Sequence, residues 1–476
     1  MSNRLILYGA GVAGKLFLEQ ILHDKSYTVV AFVDDSQEAE GELIRDISVY
    51  PSSSLEKLIM QEPISKVVVT IPSLTSKRRK EISKRLVKAG AEAVFLPSHQ
   101  KIIEGSVELD SASFSKIIGR DGSVFGAEPV SKAFGGLNVL VTGGGGSIGS
   151  EITRQLLLGK PKKLFVLDSS EFNLFKLAQN FPKKRFSGIE FILGDFGDAH
   201  LLSGLLADNR IDYLFHAGAY KHVALVEDNV FAAVKNNVIG SHTLFNTVMS
   251  HDNGKAVNIV NISTDKAVNP TNFMGATKRF VELLTGYFFH KFGNKIVNVR
   301  FGNVFGSSGS VIPIFVNQIN QGGPVTVTHP DVERYFMSIP EAVELVLCSS
   351  VLSESSGTYF LDMGNPIKIL ELAKRLIKSF GFKPVLTDKE DISNNEIRIR
   401  FSGLKSGEKL TEELSHSQNF KRTKNPEIFL CDEFIFPLET VESLYQKLYS
   451  AFILQEKVAL VEVLSNQLVG YQQVTV

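Results

Sequence analysis

The apolar positions of this chain fall into two starts of one pattern. Near the N-terminus, Leu5-Ile6-Leu7-Tyr8 reads as a buried strand. It runs into Gly9-Ala10-Gly11-Val12-Ala13-Gly14, and then Leu16, Phe17, Ile21 and Leu22 recur at helical spacing. A second strand, Thr28 to Val33, ends at Asp34-Asp35. Lys66 to Ile71 and Ala93 to Leu96 read as further strands. Short continuous apolar runs alternating with helical periods predict a parallel sheet covered by helices.

The periodicity lapses over residues 119–136, which are glycine-rich and contain Pro129, and a domain boundary is expected there, giving domains 1–134 and 135–476. The pattern then restarts. Asn138-Val139-Leu140-Val141 leads into Thr142-Gly143-Gly144-Gly145-Gly146-Ser147-Ile148-Gly149 and a helix expected from Glu151. Lys163–Leu167, Glu190–Leu193, Tyr213–His216, Val257–Ile262 and Ile296–Val299 read as the strands that follow. From about Gly309 the pattern is less regular, as suits a small substrate lobe, with helices expected over 340–352, 368–380 and 440–466. The fold class is therefore α/β, with two Rossmann-like doubly wound parallel-sheet domains in tandem, the second carrying a small C-terminal lobe.

Composition removes several function classes. The 476 residues carry a formal net charge of zero, which gives no electrostatic case for nucleic acid or an anionic membrane. The basic run Lys77-Arg78-Arg79-Lys80 reads as a solvated helix face. The two cysteines, Cys348 and Cys431, lack metal-ligand spacing, so neither a zinc site nor a disulfide framework is expected, and a reducing cytoplasm is the expected location. No apolar run approaches the ~20 residues of a membrane span, and the chain enters a strand too early for a signal peptide.

The second glycine cluster follows a strand and opens a helix, the context in which such a cluster binds a dinucleotide. Gly143, Gly146 and Gly149 let the backbone approach a pyrophosphate, and the helix N-terminus favours its charge. Asp168 ends the next strand, where a carboxylate bonds an adenosine ribose and repels a 2′-phosphate, so NAD is favoured over NADP. The first cluster, with Asp34, fits nearly as well. It is read either as a structural Rossmann domain or as a nucleotide or nucleotide-sugar site.

Ser263-Thr264-Asp265-Lys266, followed by Met274 and Lys278, resembles the catalytic segment of extended short-chain dehydrogenases/reductases with their tyrosine replaced by Met274. The stretch from about Ile118 resembles the nucleotide-sugar 4,6-dehydratases of bacterial surface-polysaccharide synthesis that act on UDP-N-acetylglucosamine. The likeness rests on Val139 to Glu151, Leu167 to Leu174, His216 to Val223, Ser263 to Lys278, Arg300 to Val304, Gly309 to Pro313, Pro324 to Pro330, Arg334 to Met337 and Gly407 to Leu410. Large members carry an N-terminal Rossmann-like domain and commonly begin with membrane-spanning helices, so the chain is expected to correspond to a soluble member or to the soluble part of a membrane-associated relative.

The resemblance implies roles for particular residues. Asp265 is the acid at O6, Lys266 the base at C5, Thr264 a hydrogen-bonding group at O4, and Lys278 the residue that orients the nicotinamide ribose. Methionine cannot exchange a proton, so the base at O4 is left unassigned. Lys266 is expected to be made neutral by burial and by Lys278. Cofactor contacts are implied for Thr142, Gly143, Gly146, Ser147, Ile148, Gly149, Asp168, Asp195, Phe196, Ala217, Gly218, Ala219 and Lys278. Asn303 and Arg334 are the candidates for the UDP pyrophosphate, Thr326 and Thr328 for the uridine pocket. Lys221 and Asn237 are expected at strand ends near the active face, Glu408 at a ribose or the lobe, and Val311 near the substrate. A UDP-sugar partner and a homo-oligomer are expected, with no metal. A nucleotide-sugar 4-epimerase and a non-catalytic nucleotide-sugar-binding regulator are the alternatives.

Overall fold

The computed structural model describes residues 3–21, 27–36, 39–61, 64, 66–71, 74, 76–95, 132–181, 186, 188–251, 257–307, 309–353, 356–387, 393, 395–416, 420–431 and 437–472. Most of the boundary region expected at 119–136 lies outside them, as does Leu96. The chain divides into two compact units, 1–120 with 311–330 and 369–403, and 121–310 with 331–368 and 404–476. Among the described residues no helix is long and apolar enough to cross a membrane.

The first unit holds a six-stranded sheet of β1 (Asn3–Tyr8), β2 (Tyr27–Asp34), β3 (Leu43–Ile44), β4 (Ile47–Pro51), β5 (Lys66–Val69) and β6 (Glu92–Phe95), ordered β3-β4-β2-β1-β5-β6. Only the β3–β4 pair is antiparallel. Asp34 accepts from Ala10 N at 2.6 Å and from Ser36 N at 2.8 Å, closing the first glycine loop on itself. Three parallel strands, Val325–Val327, Glu396–Phe401 and Lys383–Leu386, complete this unit's sheets. Arg79 departs from the expected solvated face. It is 3% exposed, its guanidinium lying 4.9 Å from the Phe95 ring centroid and 5.1 Å from that of Phe382. Burial pulls its pKa down to about 10. Its neighbour Arg78 pairs with Asp35 and Glu81.

The second unit is built on a nine-stranded sheet. Its first six strands are β7 (Asn138–Thr142), β8 (Lys163–Asp168), β9 (Ile189–Leu193), β10 (Tyr213–His216), β11 (Asn258–Ile262) and β12 (Ile296–Arg300). They run β9-β8-β7-β10-β11-β12, followed by Gly357–Leu361, Ile428–Cys431 and Phe420–Arg422, with Ile428–Cys431 antiparallel to both its neighbours. Alternate residues feed two cores. Leu140, Leu214 and Ile259 face one helical layer, while Val139, Val141, Phe215, Val260 and Ile262 face the other. Strand order reverses between β7 and β10, the switch point where open α/β sheets bind ligands at the carboxyl ends of their strands.

Two helix boundaries differ from the sequence expectation. The helix after β7 begins at Ser147, not Glu151, so Gly149 lies in its first turn. A side chain there would drive a Cβ into the Gly143 carbonyl oxygen. The helix expected over 440–466 is two, Leu438–Ile453 and Lys457–Leu464, because Gln455 adopts a left-handed φ of 57° that ends the first.

Candidate active site

The glycine loop sits at the end of β7. Gly143 has a φ of 66°, and Gly146 is the N-cap of the helix that follows, offering no side-chain acceptor to the first-turn N–H groups. Those donors are the ones an anionic pyrophosphate satisfies. Asp168 accepts from Gly145 N and from Ser170 N, both at 2.8 Å, which sets its carboxylate against the loop. Thr142, Gly143, Gly146, Ser147, Ile148, Gly149 and Asp168 thus meet at one strand-to-helix turn, and they fit a dinucleotide. Asp195 is exposed after β9 and accepts from Gly197 N at 2.7 Å. Phe196 turns inward. Its ring lies 4.8 Å from that of His216, and a Cβ on Gly218 would come within 2.7 Å of it. Phe196 therefore supports the Ala217-Gly218-Ala219 stretch after β10 from beneath.

His216 is fully sequestered in a polar chain. Ser241 Oγ donates to Asn237 O at 2.5 Å, so at 2.8 Å it accepts from His216 Nε2–H. Nδ1 then accepts from the Thr142 hydroxyl at 2.7 Å. Burial, helped by the charge of Lys278, holds His216 neutral, its pKa well below the ordinary value.

The candidate catalytic segment leaves the end of β11. Thr264 caps a single 3₁₀ turn, Asp265–Ala267, its hydroxyl accepting from Lys266 N at 3.4 Å and donating to Asp265 Oδ1 at 2.8 Å. Lys266 Nζ donates to the same Oδ1 at 3.0 Å and to Asn303 Oδ1 at 3.3 Å, and pairs with Glu412 Oε1 at 3.6 Å. Asp265 is completely buried, yet its Oδ2 has no hydrogen-bond partner. A buried carboxylate oxygen without a donor is costly, and one supplied by a ligand would relieve it. The charge on Lys266 runs against the sequence expectation. Burial pulls its pKa down, but Asp265 and Glu412 outweigh burial and the opposing Arg334 charge, so the pKa is raised and the side chain is held as a cation. Lys278 is not among the groups that set it.

The helix Phe273–Phe292 brings the other catalytic candidates. Asn272 caps it by accepting from Gly275 N at 2.8 Å. Gly275 passes so close to the Asp265–Ala267 turn that a Cβ would strike the Lys266 carbonyl oxygen. Met274 and Lys278 are both buried on this helix. Burial lowers the Lys278 pKa to about 8, with Glu282 one turn on opposing the fall.

Glu282 organises the floor of the site. It accepts from Ser263 Oγ at 2.6 Å, from Arg300 Nε at 2.8 Å and Nη2 at 2.7 Å, and from Arg279 Nη1 at 3.1 Å. Burial pushes its pKa up, but the Arg300 and Arg279 charges and these hydrogen bonds bring it down to about 2.

The expected substrate residues divide. Asn303 stands beside Lys266. Arg334 is buried, donating from Nη1 to Glu333 O at 2.7 Å and Leu410 O at 3.1 Å, and from Nη2 to Glu408 Oε1 at 3.4 Å. Glu408 therefore braces Arg334. Lys221 lies on an exposed loop after β10. Asn237 is not at a strand end. It is buried in the π-helical turn Val234–Gly240, donating to Tyr220 O at 3.1 Å and Thr277 Oγ1 at 3.0 Å and accepting from Tyr220 N at 2.8 Å. That network holds the loop after β10 against the helix of Lys278. Val311, Thr326 and Thr328 belong to the first unit. Val311 opens the helix Val311–Asn320, and Thr326 Oγ1 accepts from Gln318 Nε2 at 2.6 Å on that helix. Sequence reasoning missed Glu282, Arg279 and Glu412. The Glu412 signal was near at hand, four residues beyond Glu408 and just past the segment Gly407 to Leu410 already singled out.

This fold and site define a protein of the extended short-chain dehydrogenase/reductase type. Residues 139–433 match the polysaccharide biosynthesis protein family, and residues 4–86 match the PglD N-terminal domain. The capsular polysaccharide biosynthesis protein CapD of Staphylococcus aureus is 35% identical over 97% of this chain and 74% of its own length. The probable polysaccharide biosynthesis protein EpsC of Bacillus subtilis is 36% identical over 87% of this chain and 68% of its own. Among solved structures, Pen from Bacillus thuringiensis is 33% identical, covering 64% of this chain and 91% of that one with a TM-score of 0.56. The chain belongs to the polysaccharide biosynthesis protein family.

Removing the Glu282 charge leaves two buried guanidiniums facing one another. Glu282→Gln is expected to cost about 3–5 kcal/mol of stability at neutral pH. A depressed carboxylate contributes above its unfolded pKa and loses that contribution as pH falls. The gap between wild type and variant should therefore narrow as pH drops from the ordinary 4.5 towards about 2. Denaturant unfolding across that range measures it, and equal stability at neutral pH would contradict the assignment.

Proposed function

We propose that this chain is an NAD-dependent dehydratase that converts UDP-N-acetylglucosamine to UDP-2-acetamido-2,6-dideoxy-hexos-4-ulose, for bacterial surface-glycan synthesis. The observation that carries the reading is the buried Asp265, one oxygen shared by Thr264 and Lys266 and the other without a partner. A 4-epimerase has no leaving group to protonate and no use for that arrangement.

NAD, when bound, supplies transient oxidation at C4 and returns the hydride at C6. The glycine loop, Asp168 and the cationic Lys278 are the residues that would hold it. Everything else in the reaction is proton movement, and Thr264, Asp265 and Lys266 close a balanced cycle. With Lys266 neutral, the O4 proton passes through the Thr264 hydroxyl to Asp265 Oδ1, along the 2.8 Å hydrogen bond. This gives O4 a base although Met274 cannot act as one. The ketone at C4 acidifies C5–H. Lys266 takes that proton while Asp265 gives its own to O6, which departs as water and leaves a C5=C6 bond. Lys266 then returns its proton to C5 as C6 is reduced, and the pair is back where it began. In the ligand-free site Lys266 is a cation, so a substrate that seals the site must deepen the burial that acts against that charge.

Asp265→Asn and Lys266→Ala should each lower the rate of water loss from UDP-N-acetylglucosamine by about 10²–10⁴-fold, with cofactor still bound. Product mass separates the outcomes, since water loss, isomerisation and no change report dehydratase, epimerase and binding protein. Either variant working near the wild-type rate would remove that residue from the cycle.

Lys278 is cationic below its pKa of about 8 and neutral above it. NAD affinity, measured by titration, should weaken as pH rises through that value in the wild type and stay flat in Lys278→Met. A pH-dependent affinity surviving in Lys278→Met would contradict a ribose-binding role.

A further inference from the structure

We propose that Glu412 is a positioning residue of this site, a buried carboxylate shared by Lys266 and Arg334 that determines the charge Lys266 carries. The inference rests on the reading of Lys266 as the base.

Glu412 lies just beyond the Gly407-Glu408-Lys409-Leu410 segment, which the Thr271 hydroxyl and Asn272 amide hold by donating to Gly407 O at 2.8 Å and 3.1 Å. Its side chain is 3% exposed. Oε1 is 3.6 Å from Lys266 Nζ and 3.9 Å from Arg334 Nε, so one oxygen serves two cations that come from different parts of the chain. Among the described residues, the groups facing Lys266 are Asp265 on its own turn, Asn303 from the strand Asn303–Phe305, Arg334 from the strand Glu333–Arg334, and Glu412. Asp265 is committed to the reaction, and Asn303 is neutral. Arg334 acts against the Lys266 cation. Among the described residues, Glu412 is therefore the group facing Lys266 that favours its cation without exchanging protons with the sugar.

This placement gives the carboxylate a definite task. In the open site it keeps Lys266 charged and hydrogen-bonded to Asp265, so the acid–base pair is held in register before substrate arrives. Its distance, beyond direct hydrogen-bond reach, leaves Nζ free to turn towards C5. Any movement of Arg334 on engaging an anionic substrate group changes how Glu412 is divided between its two cations. Glu412 thereby links the binding of charge at Arg334 to the basicity of Lys266.

The test reads Lys266 directly. Trace acetylation with acetic anhydride over a range of pH, with the modified Lys266 peptide quantified by mass spectrometry, gives the midpoint of its reactivity without requiring turnover. The Lys266 side chain is 18% exposed, enough for the reagent. In Glu412→Gln, with circular dichroism confirming the fold, the midpoint should move to lower pH by about one unit or more. Glu412→Asp keeps the charge on a shorter arm and should move it less, in the same direction, which preserves the test if the glutamine variant fails to fold. An unchanged midpoint in the folded variants would overturn the inference. The pH dependence of kcat/KM then tests the underlying reading separately. If Lys266 is the base, the rising limb moves with the acetylation midpoint, whereas a limb that stays put while the midpoint moves rejects the base and leaves Glu412's control of the charge standing.

Discussion

One buried carboxylate, Glu282, fixes the geometry on which this site depends. It joins Ser263 at the end of β11, Arg300 at the end of β12 and Arg279 on its own helix. The helix that carries Met274 and Lys278 is thereby locked to the turn that carries Thr264, Asp265 and Lys266. Packing enforces the same register, because Gly275 leaves no room for a side chain against the Lys266 carbonyl. Two guanidiniums and one carboxylate buried together would be a poor choice for stability alone. Here they hold two chain segments in a fixed relation close to the proton chemistry.

Above that floor, the site is governed by how few protons it holds. Thr264, Asp265 and Lys266 form a short hydrogen-bonded chain that ends in one unsatisfied oxygen. In the proposed cycle such a chain would pass a proton from one sugar hydroxyl to another without drawing on solvent. In that cycle the replacement of the usual tyrosine by Met274 is no defect, since a threonine backed by a carboxylate would supply the base. His216 and Lys278 lie beneath the same strand ends and illustrate the complementary rule. Burial keeps the histidine neutral and brings the lysine to the edge of its charged range.

Much of this was legible in the sequence, for identifiable reasons. Buried parallel strands are continuous apolar runs, so β7, β8 and β10 to β12 were placed to within a residue or so, and the glycine loop announced itself by its context. The turn of Thr264, Asp265 and Lys266 could be singled out because its residues are contiguous. What was hidden was set by tertiary contact. Nothing local marks Arg79 as buried between two rings, because one of them, Phe382, lies about three hundred positions further on. Asn237 was expected at a strand end but lies inside a π-helical turn, where it braces the loop after β10. The charge of Lys266 was misjudged because Glu412, distant in sequence, was not counted. The break at Gln455 needs a left-handed residue that carries no glycine signal.

The central claim is that oxidation and reduction occur on one sugar, with Thr264, Asp265 and Lys266 moving only protons between them. The most direct measurement uses UDP-N-acetylglucosamine carrying deuterium at C4, with the product's label located by NMR. The proposed cycle predicts deuterium at C6 of the same molecule that has lost water, with no label passed to added NAD. Deuterium remaining on C4 of an isomerised sugar, or appearing in the free cofactor, would contradict it.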